Sequence, residues 1–257
     1  MRFYKYHGTG NDFVLVDNRA GELRGDEYDY YAGLCHRRFG IGADGVILLN
    51  SHAELDFEMD YFNSDGRRSS MCGNGGRCIV KFAERLGLIR ERAHFLAIDG
   101  PHEAIVGGLG VKLKMGMPQG YRAINATDYW IDTGSPHYVR FLDQKVADLD
   151  VFAEGRAIRN QPEYRAAGTN VNFANVRSDQ LDVRTYERGV EDETWSCGTG
   201  VTAVASVYAQ REGIAEAAIG IHTPGGRLKV HVNSGAAPWL EGPAEFVFSG
   251  EIKGPNR

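Results

Sequence analysis

The sequence predicts two α/β halves of similar topology, joined near residue 118. The first observation is an internal repeat: Cys72 and Cys197, 125 residues apart, each precede a glycine at the start of a helix-like segment. The second is a series of short apolar or alternating runs bounded by glycine, which is typical of strands. The third is residues 201–209, apolar nearly all round, which is typical of a buried helix. A buried helix among short strands favours a mostly antiparallel sheet rolled around it.

In the first half, strands are predicted at residues 3–7, 13–17, 46–49, 55–62, 95–98, 103–106 and 111–115. Asp26 is a candidate N-cap for a helix that ends before Gly40. Alternation in the fourth strand places positions 55, 57, 59 and 61 on one face. Gly87 ends the helix that follows Cys72.

In the second half, strands are predicted at residues 129–132, 138–141, 171–176, 181–186, 218–223, 227–232 and 244–249. A helix is predicted at residues 147–158, and a second one after Cys197 ends at Gly213. The expected domains are residues 1–117, completed by the C-terminal strand of about 244–257, and residues 118–243.

Composition excludes several functional classes. The 257 residues are 42% hydrophobic and 25% charged, with a net charge of −5, and no segment is long enough to span a membrane. This charge disfavours nucleic acid and anionic membranes as partners. The N-terminus lacks a signal-peptide core, and the four cysteines have no metal-site spacing, so we expect a cytoplasmic, reduced protein without a metal.

The two cysteine motifs carry the chemistry. A helix start exposes unpaired N–H groups and about half a positive charge, which suits a bound carboxylate, and glycine lets the ligand approach. A thiol at such a position ionises more easily. One thiolate and one thiol on opposite sides of a carboxylate-bearing carbon could remove a proton and deliver another, which inverts the stereocentre. The glycine loops at residues 8–12 and 40–45 lack the context of a nucleotide-binding loop.

The motifs together resemble those of the diaminopimelate epimerase family. They are residues 7–13 (HGTGNDF), 63–66 (NSDG), 71–78 (MCGNGGRC), 187–189 (ERG) and 196–200 (SCGTG). The resemblance implies two pseudo-symmetric domains, each a sheet wrapped around a central helix, with a cleft that closes on substrate. It also implies cofactor-independent interconversion of LL- and meso-2,6-diaminopimelate by a cytoplasmic homodimer.

The resemblance also assigns residues by motif. Cys72 and Cys197 would be the acid/base pair. The reacting carboxylate would bind Gly73, Asn74, Gly198 and Thr199, and the other substrate groups Asn11, Asn63, Asn170, Glu187 and Arg188. Arg188 suits a bidentate clamp on the distal carboxylate. His137 and Glu187 would support the cysteines or the amino group.

Two positions depart from the family pattern. Many members have glutamine where this chain has Gly45, and asparagine is common where it has Ser135. Both are in ligand-contact loops, so the departures concern the grip on substrate rather than the reaction class. Cys35 and Cys78 have no glycine turn of their own, and we expect them to pack in the interior.

Three other readings remain. The chain could be a different two-thiol racemase, one that acts on proline or hydroxyproline. Such enzymes usually have histidine in place of Asn74 and lack the asparagine and arginine residues that hold a distal group. A thiol redox protein would turn over dithiols, and an amino-acid-binding protein would show affinity without proton exchange. Asn74 and Arg188 favour the epimerase.

Overall fold

The computed structural model describes residues 1–178 and 180–255. The helices are α1 (Tyr28–Cys35), α2 (Gly73–Arg85), α3 (Val151–Arg159) and α4 (Gly198–Glu212), with a 3₁₀ turn at Val146–Asp148. The strands are β1 (Arg2–Gly8), β2 (Asn11–Asp17), β3 (Gly45–Asn50), β4 (Phe57–Asn63), β5 (Arg92–Ala97), β6 (Gly100–Gly107), β7 (Gly110–Lys114), β8 (Gln119–Ala123), β9 (Asp128–Asp132), β10 (Pro136–Phe141), β11 (Asn170–Arg177), β12 (Gln180–Glu187), β13 (Asp192–Thr194), β14 (Glu216–Thr223), β15 (Gly226–Asn233), β16 (Trp239–Gly242) and β17 (Glu245–Glu251).

The chain folds as two compact units. Unit 1 comprises Met1–Leu113 and the C-terminal segment from Gly242, and unit 2 comprises Lys114–Glu241. The sequence-based boundaries were residues 117/118 and 243/244. Residues 256 and 257 of the predicted C-terminal strand lie outside the described residues.

Both units contain the same order of strand pairings. In unit 1 the order is β17, β1, β2, β3, β4, β5, β6, β7, and the β2–β3 and β4–β5 pairs are parallel. In unit 2 it is β8, β9, β10, β11, β12, β14, β15, β16, and the β10–β11 and β12–β14 pairs are parallel. The other neighbouring pairs are antiparallel. The predicted mostly antiparallel sheets and their repeated topology are confirmed.

Each sheet curves around one helix. Helix α2 contacts β1, β2, β3 and β6, and α4 contacts β9, β10, β11, β12, β14 and β15. A helix that touches strands from both ends of the pairing order must lie inside the curve of the sheet. Most of α4 is buried, which agrees with its apolar sequence on all sides. Gly87 and Gly213 adopt positive φ at the helix ends, as predicted.

The central strands of each sheet are buried on both faces. In unit 1, Phe13 and Ile47 lie against α2, whereas Val14 and Val46 lie in the cluster that contains Tyr31 of α1. A parallel pair covered by helices on both sides has a continuous apolar sequence rather than an alternating one. In unit 2, α3 covers β10, β11 and β12 in the same way, through the cluster of Tyr138, Val151, Ile158, Val171, Phe173 and Tyr186.

The structure differs in detail from four of the sequence-based expectations. The helix predicted at residues 147–158 is broken, because Asp150 caps α3 by accepting the Ala153 N–H at 3.0 Å, after a separate 3₁₀ turn. Glu27, rather than Asp26, is the N-cap residue of α1, without a side-chain hydrogen bond. The short strands β8, β13 and β16 were missed. Of the four alternating positions predicted in the 55–62 strand, Phe57 and Met59 are buried within β4.

No helix in the described part of the chain is long and apolar enough to cross a membrane.

Candidate active site

Helix α2 begins at Cys72, which is its N-cap residue and has extended backbone angles. The Gly76 N–H closes the first helical turn on the Cys72 carbonyl at 2.7 Å. Gly75 lets this turn lie directly on the strands, since a Cβ there would meet the Ile47 Cδ1 at 3.0 Å. The Cys72 turn (residues 72–76) is therefore held at the edge of the sheet with its backbone N–H groups at the helix start.

Asn11 links the Cys72 turn to the strand ends. Its Oδ1 lies 3.6 Å from the Cys72 Sγ and accepts the Asn74 amide N–H at 3.2 Å. Its own amide donates to Asp44 Oδ2 at 2.7 Å, which fixes the orientation of the side chain. Asn63, at the end of β4, is in register with Gly45 at the start of β3. The predicted residues Asn11, Asn63 and Asn74 thus lie on the same edge of unit 1 as Cys72.

An ionic cluster stands behind Asn11. Asp12 is 2.6 Å from the Lys5 Nζ and 2.8 Å from the Arg37 Nη2, which also reaches Asp44 at 2.7 Å. Burial alone would raise the pKa of Asp12, but the hydrogen bonds and charges of Arg37 and Lys5 outweigh it and hold the pKa at about 2. The carboxylates near Asn11 therefore already have cationic partners.

Arg77 lies beneath the Cys72 turn and was missed as a functional candidate. Its guanidinium is fully buried and donates to the Gly73 carbonyl at 3.2 Å, Thr9 Oγ1 at 3.2 Å, Asn74 Oδ1 at 3.0 Å and the Pro243 carbonyl at 3.3 Å. These bonds fix the Asn74 amide, whose N–H is then directed to Asn11. The available signal was an arginine in a helix with no Asp or Glu one turn before or after it.

In unit 2, Cys197 is the N-cap residue of α4 and is buried. Its Sγ lies 3.5 Å from the Thr199 hydroxyl, and the Thr199 carbonyl accepts the Thr133 hydroxyl at 2.9 Å. A Cβ at Gly200 would lie 2.4 Å from the Asn172 Oδ1 and 3.3 Å from the Cys197 Sγ. Only glycine lets the Asn172 amide and the cysteine pack against the same turn, here named the Cys197 turn (residues 197–201).

Asn172 determines the tautomer of His137. The Asn172 Oδ1 accepts the Thr185 hydroxyl at 3.0 Å, and its Nδ2 donates to the Tyr138 carbonyl at 2.9 Å. The same Nδ2 lies 3.1 Å from His137 Nδ1, which must therefore accept, so that the ring proton is on Nε2. Sequence analysis missed Asn172, which resembled any polar residue in a strand.

His137 is neutral and presents an unused donor. Complete burial, and then the charge of Arg188, lower its pKa to about 3. Among the described residues, its buried Nε2 has no hydrogen-bond partner. A buried N–H without a partner is costly, so this atom is suited to a ligand.

The remaining predicted residues of unit 2 surround this histidine. Asn170, in register with His137, donates to the Ser135 hydroxyl at 3.0 Å and accepts the Arg188 N–H at 3.0 Å. Arg188 is half-buried and donates to the Ala167 carbonyl at 3.0 Å. Glu187 accepts the Thr194 hydroxyl at 3.0 Å. The end of β12 and the start of β11 are thus joined by one set of hydrogen bonds.

Comparison with known proteins decides the family. Residues 3–119 and 129–247 match the diaminopimelate epimerase family model. The chain is 45% identical to a diaminopimelate epimerase of Flavobacterium psychrophilum, over 98% of this chain and all of that protein. It is 40% identical to one from Archaeoglobus fulgidus, over 98% and 96% of the two chains. The chain belongs to the diaminopimelate epimerase family.

Solved structures share the fold at much lower identity. A phenazine biosynthesis protein of the PhzF family from Bacillus anthracis has a TM-score of 0.77 at 15% identity, covering 98% of this chain and 99% of its own. A hydroxyproline epimerase from Agrobacterium vitis has a TM-score of 0.70 at 14% identity, covering 97% and 91%. These likenesses show that the fold is shared. They give no information about the reaction.

The two departures from the family pattern have local explanations. A Cβ at Gly45 would lie 2.5 Å from both the Phe62 carbonyl and the Tyr61 ring, so Tyr61 occupies the space beside this backbone. Any longer side chain at Gly45 would require Tyr61 to move. Ser135 accepts the Asn170 amide and so helps to orient a predicted substrate-binding residue.

Cys35 and Cys78 are buried, as expected, and all four cysteines are free thiols. Burial raises the pKa of Cys35 to about 12 and raises that of Cys78 further. Both are therefore protonated near neutral pH and serve as packing residues. The described residues contain no group of His, Cys, Asp and Glu side chains that could hold a metal ion.

A cavity in unit 2 lies away from these residues. It has a volume of about 1000 Å³ and extends along β12 and β13, between Asp143 and Trp195. None of the predicted site residues lines it, and its two arginines have acidic partners: Arg184 lies 2.6 Å from Glu193 and Arg177 lies 3.9 Å from Asp182. We therefore do not associate it with the reaction.

Proposed function

We propose that this chain interconverts LL- and meso-2,6-diaminopimelate without a cofactor, in lysine and peptidoglycan biosynthesis. The observation that supports this most is that, in a chain of this family, a cysteine caps each of the two buried central helices. A thiol at a helix start lies beside backbone N–H groups that can bind a carboxylate. Each half of the repeat thus offers a proton-transfer group next to a carboxylate-binding group.

In the proposed reaction, a thiolate removes the α-proton, so that the C–H bond breaks and an S–H bond forms. The electron pair spreads onto the adjacent carboxylate, where the N–H groups of the helix starts stabilise it. The second thiol delivers its proton to the opposite face of the carbon and becomes the thiolate. Cys72 and Cys197 are the two groups, and no other reactant is consumed.

We assign the binding residues by the groups they present. Gly73, Asn74, Gly198 and Thr199 would supply N–H donors to the reacting carboxylate. Asn11, Asn63 and Asn170 would bind amino and carboxylate groups of the substrate, and Glu187 would accept from an amino group. Arg188 would hold the distal carboxylate, for which a planar guanidinium is well matched.

His137 would act as a neutral donor. Its Nε2–H has no partner among the described residues, and its lowered pKa keeps a positive charge from forming there. A neutral N–H can donate to a substrate oxygen without taking up the proton that the thiols must transfer. Asn172 would be a positioning residue, because it acts through the tautomer of His137.

The direct test is proton NMR of LL-diaminopimelate with the reduced protein in deuterated water, without pyridoxal phosphate or metal. We expect loss of the α-proton signal together with appearance of the meso isomer. If a folded, reduced protein gave no exchange, the substrate assignment would fail. Exchange of proline or hydroxyproline instead would identify the other racemase, and binding without any exchange would identify a binding protein.

We also propose that the protein is a homodimer formed through β17. Among the described pairings, β17 has one neighbour, β1, and Phe246, Val247 and Phe248 are exposed in succession. An exposed apolar edge strand with apolar residues on both faces is rare unless it is covered. Antiparallel pairing with β17 of a second copy would bury the same residues on both sides of a two-fold axis.

Replacement of Val247 by lysine tests this assignment. Val247 lies at the irregularity between the Tyr6–Phe246 and Lys5–Phe248 pairs, so a substitution there disturbs few contacts within the sheet. We expect sedimentation of the wild type at twice the chain mass and of Val247→Lys at the chain mass. Lysine at Val190, an exposed valine in the turn after β12, is the matched control. A monomeric wild type, or a dimeric Val247→Lys, would contradict the proposed interface.

A cytoplasmic location completes the proposal. Its support is the biosynthetic role of the family and the four free thiols, which suit a reducing compartment.

A further inference from the structure

Arg77 is a buried cation without an acidic partner. Its guanidinium is fully buried, and its four hydrogen bonds all go to neutral oxygens, of Gly73, Asn74, Thr9 and Pro243. Among the described residues, no carboxylate forms an ion pair with it. A buried charge is expensive unless a partner compensates it, and hydrogen bonds to neutral groups compensate only in part. This arrangement indicates that an anion completes the site.

Most nearby acids are already paired. Asp12 lies against Lys5 and Arg37, and Asp44 shares Arg37. On the side that leads into the Cys72 turn, Asp99 accepts from the Met71 backbone and lies 3.2 Å from His102. None of these carboxylates is left to balance Arg77.

The turn after β4 and the helix itself add no free acid. Asp60 pairs with Arg68, and Asp65 is 3.9 Å from Arg67. Cys78, next to Arg77 in α2, is completely buried, and burial raises its pKa, so it remains a thiol. The remaining acidic group of the turn is the Cys72 thiol, whose charge would interact with the Arg77 guanidinium, and the neighbouring Gly73 carbonyl accepts a hydrogen bond from Arg77.

At the corresponding position, the second half of the repeat has no cation. Arg77 is five residues after Cys72, and the residue five after Cys197 is Thr202, which is also fully buried. Its hydroxyl donates to the Gly198 carbonyl at 2.8 Å, the counterpart of the Arg77 bond to Gly73. The second half therefore repeats the hydrogen bond to the carbonyl after the cysteine but not the positive charge. Arg188, whose charge lowers the pKa of His137, is only half-buried, so solvent screens it.

On the basis of the proposed function, we propose that Arg77 is the buried counter-charge of Cys72, so that Cys72 is the thiolate and Cys197 the thiol in the resting enzyme. Arg77 acts through Cys72 and is therefore a positioning residue. When Cys72 takes the α-proton and Cys197 gives up its own, the negative charge moves to Cys197. Arg77 opposes that movement, and the Cys197 thiolate must regain a proton before the resting state returns.

The test measures ionisation directly and does not require turnover. In the Cys197→Ala background, the rate of iodoacetamide alkylation of Cys72 is measured against pH, with the modified peptide identified by mass spectrometry. Arg77→Gln keeps hydrogen-bonding groups and removes the charge. We expect it to raise the pH midpoint of Cys72 alkylation by about one to three units. Arg77→Lys, which restores a charge, should recover at least about half of that shift.

Thr202→Val is the matched control, since it removes a buried hydrogen bond at the corresponding position without a change of charge. It should leave the Cys72 midpoint unchanged. An unchanged midpoint in Arg77→Gln, or equal shifts in Arg77→Gln and Arg77→Lys, would overturn the proposal.

If Arg77→Gln does not fold, the wild type still decides. The midpoint for Cys72 should lie below that for Cys197, and the reverse order would overturn the assignment. Because alkylation is scored without substrate, failure of this proposal is distinguishable from failure of the epimerase assignment.

Discussion

The Cys72 turn and the Cys197 turn have the same backbone arrangement, but different side chains surround them. Each begins a buried helix with a cysteine and a glycine, and each has a side chain five residues later bonded to the carbonyl after the cysteine. The Cys72 turn is supported by charged groups: the Arg77 guanidinium, and the ionic cluster of Lys5 and Arg37 with Asp12 and Asp44. Behind the Cys197 turn stands a neutral network of His137, Asn172 and Thr185. The comparison teaches that a repeat can keep its geometry while its electrostatics diverge.

The divergence suits the proposed reaction, which needs one acid and one base. Two identical turns would compete equally for the single proton that the pair must share. A fixed charge beneath one turn and neutral donors beneath the other separate the two roles. The same logic sets carboxylates apart in enzymes that use one as acid and the other as base.

Removal of either thiol is the largest expected change. Cys72→Ala and Cys197→Ala should each lower the rate of epimerisation by about 10² to 10⁴-fold, because each deletes one partner of the proton transfer. The NMR assay of isomer conversion measures the loss, and circular dichroism should show an unchanged fold. Cys35→Ala, in α1, is the control and should keep full turnover. Full turnover in either active-site variant would contradict a two-thiol reaction.

The buried, neutral His137 should make the stability of unit 2 sensitive to acid. The pKa of His137 is lowered from 6.5 to about 3, so between these values the unfolded chain binds a proton that the folded chain does not. Stability should therefore fall as the pH falls from about 6.5 towards 3, by up to about 1.4 kcal/mol per pH unit from this group.

Urea unfolding of the wild type and of His137→Gln between pH 7 and pH 4 measures this dependence. The variant should lose stability less steeply, because glutamine does not titrate. Parallel pH profiles for the two proteins would mean that His137 is not held neutral.

The ionic cluster around Asp12 in unit 1 should lose its contribution to stability at a lower pH. The pKa of Asp12 is depressed from 3.8 to about 2, so its contribution is complete above about 3.8 and is lost as the pH falls towards 2. The size of that contribution is on the order of 2 kcal/mol. Asp12→Asn should be less stable than the wild type at pH 7, and the gap should narrow below pH 4. A gap independent of pH would show that Asp12 acts through packing alone.

The sequence predicts features that depend on neighbouring residues better than features that depend on long-range contacts. The cysteine turns, the glycine helix ends and most strands were predictable, because each depends on neighbours in the chain. Strand β8 was missed because its residues are mostly exposed and have no apolar alternation. The break between the 3₁₀ turn and α3 was not predicted, because the residues on both sides of Asp150 favour a helix.

The supports of the site depend on contacts that no local pattern encodes. Asn172 has its role because parallel pairing places β10 beside β11 and because Gly200 leaves room for its amide. Arg77 is recognisable only when Thr9 and Pro243, distant in sequence, are seen to enclose it. Thr202 gains meaning only from comparison with Arg77, and the repeat was aligned on its cysteines and glycines alone.

The smallest expected effect sharpens the comparison most. Thr202→Val removes the hydroxyl bond to the Gly198 carbonyl, and the carbonyl keeps its helical acceptor role, so the expected loss of stability is about 1 kcal/mol. Thermal unfolding measures it, and the pH profile of kcat/KM should keep its shape. A changed pH profile would mean that Thr202 tunes Cys197 as Arg77 is proposed to tune Cys72. The two turns would then differ in the strength of their control, and charge alone would not separate acid from base.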